Sequence, residues 1–345
     1  MPVLNDYFKE AVKQKASDVH LVVNQPVIFR LDGELRPTDS KPLAKVELEK
    51  TIMAILTAEQ KQKFNTNREL DLSYEIPDGS RFRINLFWER DNPGLAARVI
   101  SPTIPSMQEL ALPEVVYQMI KAKQGLILVT GPTGCGKSTT LAALIDAINQ
   151  DRTAHIVTLE DPIEFLHVSK KSVIVQRQLG TDMLSFKDAL KHVLRQDPDV
   201  IMVGEMRDLE TIATTITLAE TGHLVLATLH THNAGQTIDR IVDVFPPYQQ
   251  GQVRLQLSMS LNGIISQHLI PKKNGGRVAV REILINTPAI ANIIRENKIP
   301  QIKTAIKTSA DVGMTTMEQN LRKLIADGLI EETVAEHYLE VLPRA

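Results

Sequence analysis

The sequence predicts two α/β units in one chain: a mixed α/β domain over residues 1–100, then a mainly parallel sheet with helices on both faces from residue 114. Length is the first of three observations that predict it, since 345 residues suit two domains at roughly 150 each. The second is a period of two within the first hundred residues, the mark of half-buried strands. The third is the change after residue 114 to short, continuous apolar runs separated by helical periodicity, as a sheet buried on both faces requires.

A first helix is expected over 4–16, before Ser17-Asp18-Val19-His20-Leu21. Val27-Ile28-Phe29-Arg30-Leu31 alternates, and Asp32-Gly33 after it signals a tight hairpin turn. Leu48, Ile52, Ile55 and Leu56 share one face of a helix expected over 46–64. Two strands flank Pro77-Asp78-Gly79. The second, Arg81 to Phe87, sets Phe82, Ile84 and Leu86 on one face and Arg81 and Arg83 on the other. Pro102, Pro105 and Pro113 mark residues 101–113 as a linker, and the core is expected over 114–285. Residues 286–345 read as helical: Ala289–Asn297, Pro300–Thr308 and Thr316–Asp327, the last closed by Gly328.

Apolar residues make up 43% and charged residues 23%, an ordinary globular balance. Lysine plus arginine total 39 and aspartate plus glutamate 41, with fifteen of each in residues 1–100. Neither part is a polycation, which counts against a nucleic-acid coat protein or a polybasic membrane tail. The one cysteine, Cys135, excludes an internal disulfide and a multi-cysteine zinc site, so no zinc is expected. No apolar run approaches the ~20 residues that cross a bilayer. Asp6 and Glu10 stand where a signal peptide is basic and then apolar. The expectation is a cytoplasmic protein that meets a membrane only through a partner or its surface.

Gly125-Leu-Ile-Leu-Val-Thr130 is a buried-strand run. It leads into Gly131-Pro132-Thr133-Gly134-Cys135-Gly136-Lys137-Ser138, which meets the phosphate-loop spacing at every required position. A helix over 138–149 follows, with Leu141, Leu144, Ile145 and Ile148 as its apolar stripe. Glycines let backbone N–H groups turn inward around phosphates, and the helix N-terminus adds positive potential. Lys137 is placed to reach the β- and γ-phosphates and Ser138 to ligate magnesium. Pro132 to Thr139 is thus the expected site for ATP or ADP with Mg2+. Cys135 within it is expected to be a small filler.

Three later strands end in polar clusters, where a doubly wound sheet places its ligands. His155–Leu159 runs into Glu160-Asp161-Pro162-Ile163-Glu164, Val200–Val203 into Gly204-Glu205-Met206-Arg207-Asp208, and Leu224–Thr228 into Leu229-His230-Thr231-His232. A carboxylate at a buried strand end needs a cation or a hydrogen-bond partner. Glu205 is therefore a candidate for the magnesium shell through water. Glu160 or Glu164 is the candidate to orient the attacking water, and His230 to sense the γ-phosphate. Asp208 reads as the N-cap of a helix over 209–221. His223 and His232 read as ordinary hydrogen-bonded residues before metal ligands.

Together these segments resemble the secretion and type IV pilus ATPase superfamily, and most closely its PilT-type pilus retraction ATPases. Ala16-Ser-Asp-Val-His-Leu21 is similar to the family's N-terminal signature, and Glu160-Asp-Pro-Ile-Glu-Phe165 to its aspartate box. Gly204-Glu-Met-Arg-Asp208 looks like its Walker B segment. Thr221-Gly-His-Leu-Val-Leu-Ala-Thr-Leu-His230 looks like its histidine box, followed by Thr237–Pro246. The resemblance runs over almost the whole chain. It implies a PAS-like N-terminal domain and a RecA-like P-loop ATPase core with C-terminal helices. It places the water-activating glutamate on Glu164, the Walker B glutamate on Glu205 and the nucleotide-sensing histidine on His230. Arginines of the family's N-terminal domain reach the nucleotide of an adjoining subunit, and Arg81, Arg83 and Arg98 match them here.

The four-cysteine zinc insertion usual in the assembly and type II secretion branches has no counterpart, with only Pro271-Lys-Lys-Asn-Gly-Gly276 in the comparable region. Residues 289–296 read Ala-Ile-Ala-Asn-Ile-Ile-Arg-Glu where the retraction signature is Ala-Ile-Arg-Asn-Leu-Ile-Arg-Glu, so Ala291 replaces its first arginine. The resemblance implies a homohexameric motor that hydrolyses ATP to power pilus retraction and twitching motility. It would work at the cytoplasmic face of the inner membrane on a PilC-like platform protein. A PilU-like retraction accessory paralogue and another ring ATPase of the superfamily are the alternatives. Aromatic residues are only 4%, which disfavours a nucleic-acid translocase, and no nucleic-acid partner is expected. A nucleotide-gated scaffold without turnover is the non-enzymatic alternative, and Lys137, Glu164 and Glu205 argue against it.

Overall fold

Thr57 divides the stretch expected as one helix over 46–64. In the computed structural model, which describes residues 4–31, 33–100 and 103–341, its side chain accepts the Gln60 N–H while the Gln60 side chain returns to the Thr57 N–H. This capping box starts a new helix. The result is α2 (Lys45–Ala54) and α3 (Ala58–Asn67), preceded by α1 (Leu4–Lys13). The first helix stops short of residue 16 because Lys15 takes a left-handed φ of 58°. Asp32 of the expected turn, Pro102 of the expected linker and residues 342–345 lie outside the described residues.

The chain forms two compact units, Met1–Thr103 and Ile104–Ala345. The first holds β1 (Asp18–Leu21), β2 (Ile28–Leu31), β3 (Glu34–Pro37), β4 (Glu69–Glu75), β5 (Arg81–Glu89) and β6 (Asn92–Ile100). They form an antiparallel sheet in the order β3-β2-β1-β6-β5-β4. Phe82, Ile84 and Leu86 are wholly buried beneath it, and Phe8 of α1 stacks on Phe82 at 4.0 Å. The sequence pattern does not announce β6, which carries Pro93 and Gly94. Gly94 stands opposite Phe87, where a Cβ would lie 2.5 Å from the aromatic ring. A sheet with helices packed on one side is the PAS-like domain expected.

The second unit begins with α4 (Glu114–Ile120), β7 (Gly125–Thr130), α5 (Lys137–Asp151), β8 (His155–Glu160), β9 (Val173–Gln178) and α6 (Phe186–Val193). It continues with β10 (Val200–Val203), α7 (Leu209–Glu220), β11 (Leu224–Leu229), α8 (Ala234–Asp243), α9 (Pro247–Ser260), β12 (Leu261–Pro271) and β13 (Arg277–Ile285). Its sheet runs β13-β12-β7-β11-β10-β8-β9, parallel throughout except for β13. Every residue of β7, β10 and β11 is buried, because both faces are covered. Leu141, Leu144, Ile145 and Ile148 of α5 pack with Ile127 and Val129 on one face. Ile212, Ile216, Ile238 and Leu257 pack with Leu126 and Leu128 on the other. Each such side chain contributes roughly 1.5–3 kcal/mol by leaving water. This is the RecA-like core.

The C-terminal helices are α10 (Pro288–Arg295), α11 (Ile302–Thr308), α12 (Met317–Ala326) and α13 (Glu332–Val341). Pro300 falls in a single 3-10 turn before α11, so that helix starts later than expected. Thr287 caps α10 by accepting the Ile290 N–H, and Ala291 sits half-buried on it.

Candidate nucleotide-hydrolysis site

The C-terminal end of β7 delivers the phosphate loop, which turns through Gly131 (φ 143°), Gly134 (77°) and Gly136 (89°). At Gly131 a Cβ would lie 2.2 Å from the Gln267 carbonyl oxygen, so only glycine passes. Gly136 is the N-cap of α5. Thr133 and Gly134 are exposed, Pro132, Ser138 and Thr139 half-buried, and Cys135 buried. Burial pushes the Cys135 thiol above its ordinary pKa, against the nearby Lys137 charge, as suits a filler. The first turn of α5 carries N–H groups with no intrahelical acceptor. Such a cradle fits phosphate, and the Ser138 hydroxyl and Glu205 carboxylate are the oxygen donors that a magnesium ion takes.

The Lys137 ammonium donates to the carbonyl oxygens of Gly131 at 2.8 Å and Pro132 at 3.0 Å. It also lies 3.4 Å from His230 Nδ1. Burial lowers the Lys137 pKa, opposed by the charges of Cys135, Glu205 and Glu164. An ammonium offers only donors, so Nδ1 must face it with a lone pair, which leaves the ring hydrogen on Nε2. Nε2 stands 3.2 Å from Glu205 Oε1, and Arg207 donates to Oε2 at 2.8 Å. Burial pushes the Glu205 carboxyl upward, but Arg207 and His230 outweigh it and hold the pKa below the ordinary value. The three residues meet because β7, β11 and β10 are neighbours in the sheet.

Glu160 and Glu164, one turn apart, have different surroundings. Glu160 is 7% exposed, and its Oε1 accepts from Thr158 Oγ1 at 2.6 Å and Gln176 Nε2 at 3.0 Å. Its carboxyl also takes the backbone N–H of Glu164, while burial raises its pKa. Glu160 therefore organises the turn. Glu164 is exposed, and its charge acts on Lys137.

In the N-terminal unit, Arg83 on β5 stands opposite Arg98 on β6, Arg98 opposite Asp18 on β1, and Asp18 opposite Arg30 on β2. Arg98 Nε lies 3.1 Å from one Asp18 oxygen and Arg30 Nε 3.5 Å from the other. Arg81 pairs with Glu75 at 3.6 Å. Arg83 is exposed. One row thus sets three guanidiniums and a single carboxylate side by side.

Asp208 caps α7 by accepting the Thr211 N–H at 2.9 Å. His223 Nδ1 lies 3.1 Å from the Leu218 carbonyl oxygen, and the His232 ring stacks on His268 at 5.6 Å. Gln267 was not among the expected site residues, yet one end of its amide bonds the phosphate loop and the other the first turn of α5. The available signal was Ser266-Gln267-His268, a polar triplet between the apolar pairs Ile264-Ile265 and Leu269-Ile270.

A mainly parallel sheet that gathers a phosphate loop, a strand-end carboxylate and a histidine at adjacent strand ends defines a P-loop ATPase. The family described as type II/IV secretion system protein matches residues 1–337. The type IV pilus retraction ATPase PilT of Pseudomonas aeruginosa is 47% identical over 331 residues, 96% of each chain. The type IV pilus ATPase PilU of the same organism is 39% identical over 320 residues, 92% of this chain and 84% of PilU. The crystal structure of the pilus retraction motor PilT with bound ADP matches at a TM-score of 0.92 and 45% identity, covering 98% of this chain and 97% of that one. The chain belongs to the type II/IV secretion system protein family and, within it, to the PilT-type pilus retraction ATPases.

Proposed function

We propose that this chain is the Mg2+-dependent, ATP-hydrolysing motor of type IV pilus retraction, and that it works as a homohexamer. The observation that carries the reading is the chain Lys137–His230–Glu205 beside an exposed Glu164, in a protein similar to PilT over nearly its whole length. Phosphates entering the loop would compete with the Gly131 and Pro132 carbonyls for the Lys137 ammonium. Ser138 and, through water, Glu205 would hold magnesium, which when bound neutralises developing phosphate charge. Glu164 would orient the attacking water. His230 touches both the lysine and the Walker B carboxylate, so a shift of either changes the hydrogen bond of the other. Arg81, Arg83 and Arg98 would stabilise the nucleotide held by an adjoining subunit.

Among the described residues no helix is long and apolar enough to cross a membrane. The proposed place of work is the cytoplasmic face of the inner membrane, with force passed to a PilC-like platform protein. The main-motor reading is favoured over the accessory one by the higher identity to PilT than to PilU. Steady-state phosphate release with and without Mg2+ tests the enzyme, with Lys137→Ala as the inactive control. Twitching restored to a motor-deficient strain by the wild-type gene and not by Lys137→Ala tests the motor. Phosphate release that Lys137→Ala leaves intact would sink the assignment.

A further inference from the structure

We infer that Gln267 is a positioning residue for the phosphate loop, setting nucleotide affinity without touching the nucleotide. This rests on the nucleotide-binding reading above. Gln267 lies on β12 and is 1% exposed. β12 runs parallel to β7, with Ser266 opposite Thr130, whose hydroxyl donates to Ser266 Oγ at 2.9 Å. Side chains alternate along the strand: Ile264 enters the core of α7 and α8, and Ile265 the core of α5. Gln267 continues on the α5 side, while His268 turns to His232 on the other.

There the Gln267 amide divides its two ends. Nε2 donates to the Cys135 carbonyl at 2.8 Å, and Oε1 accepts from Thr140 Oγ1 at 2.9 Å. One rigid amide therefore joins the loop to the first turn of α5. The carbonyl and N–H of a trans peptide point in opposite directions. Holding the Cys135 carbonyl toward β12 thus aims the Gly136 N–H away from β12. Gly136 has a φ of 89° and no side chain to resist rotation of that peptide. Gln267 supplies the restraint that the glycine lacks. Without it, nucleotide must order the loop as it binds, and affinity falls by that cost.

The test uses the full-length chain and three variants. Gln267→Met keeps the volume and loses both bonds. Gln267→Glu keeps the acceptor for Thr140 and places a second acceptor against the Cys135 carbonyl. Thr140→Val removes only the Thr140 bond. ADP binding is measured by calorimetry, KM and kcat by phosphate release, and Tm without nucleotide. Gln267→Met and Gln267→Glu should weaken ADP binding and raise KM by about 10-fold, with kcat within about 3-fold and Tm nearly unmoved. Thr140→Val should stay within about 3-fold of wild type in all three. Wild-type KM and ADP affinity in both Gln267 variants would overturn the inference, as would a lowered Tm with KM unchanged. So would a Thr140→Val loss as large as that of Gln267→Met. If Gln267→Met does not fold, Gln267→Glu decides alone by the same criteria. A wild-type chain that binds no ADP would instead overturn the nucleotide reading itself.

Discussion

His230 Nε2 lies 3.2 Å from Glu205 Oε1, while Nδ1 of the same ring lies 3.4 Å from the Lys137 ammonium. One imidazole therefore links the lysine proposed to meet phosphate to the carboxylate proposed to stand near magnesium. The tautomer follows from the partners, since lysine can only donate and a carboxylate can only accept. The ring is itself 43% exposed, so the link can break and re-form as the site changes.

His230→Ala should bind ADP normally and lose turnover by about 10–100-fold, the usual scale for removing an outer partner of a metal's surroundings. Glu205 would keep Arg207, so the fold should not suffer. Calorimetry and phosphate release measure the two quantities. Undiminished turnover would show that the link is incidental.

Glu164→Gln should retain nucleotide binding and lose about 10²–10⁴ in hydrolysis. Glu160→Gln should lose less, because that side chain is committed to Thr158, Gln176 and the Glu164 backbone. Comparing kcat of the two variants decides between the carboxylates. A dead Glu160→Gln beside an active Glu164→Gln would reverse the assignment.

An arginine acting from another subunit can supply ~10³–10⁵ of the rate. Arg83 and Arg98 are both exposed, but Arg98 is held by Asp18 at 3.1 Å. Arg83→Ala should therefore lower turnover far more than Tm, and wild-type activity per chain should rise with protein concentration. Mixing Arg83→Ala with Lys137→Ala subunits should recover part of the activity. No recovery in mixed rings confirmed by mass would place the arginine's action within its own chain or nowhere.

Burial lowers the His167 pKa from 6.5 to about 4. The unfolded chain takes up this proton below pH 6.5, the folded chain only below about 4. Between those values the unfolded state binds more protons, so stability is full above the window and is lost as pH falls through it. Urea denaturation between about pH 7 and pH 4.5 should show that slope, and His167→Gln should flatten it. An equal slope in the variant would mean that other groups carry the acid sensitivity.

The phosphate loop, Lys137 and Ser138 were legible from the sequence because a strand, a glycine turn and a helix start are encoded by neighbours in the chain. The same holds for Glu205 and His230, each the polar end of an apolar strand run, and for the Asp208 cap. Local spacing decides all of these, whatever lies elsewhere. The tertiary structure alone decided which strand ends meet. It made β7, β11 and β10 neighbours, and so brought Lys137, His230 and Glu205 within reach of one another. It separated Glu160 from Glu164 by burial and laid Gln267 against the loop from 132 residues away in sequence. It also set Arg83, Arg98, Asp18 and Arg30 in one row by strand register. Sheet order and register join segments distant in the chain. They are settled by which faces bury most apolar area together, a sum over the whole core that no local pattern contains.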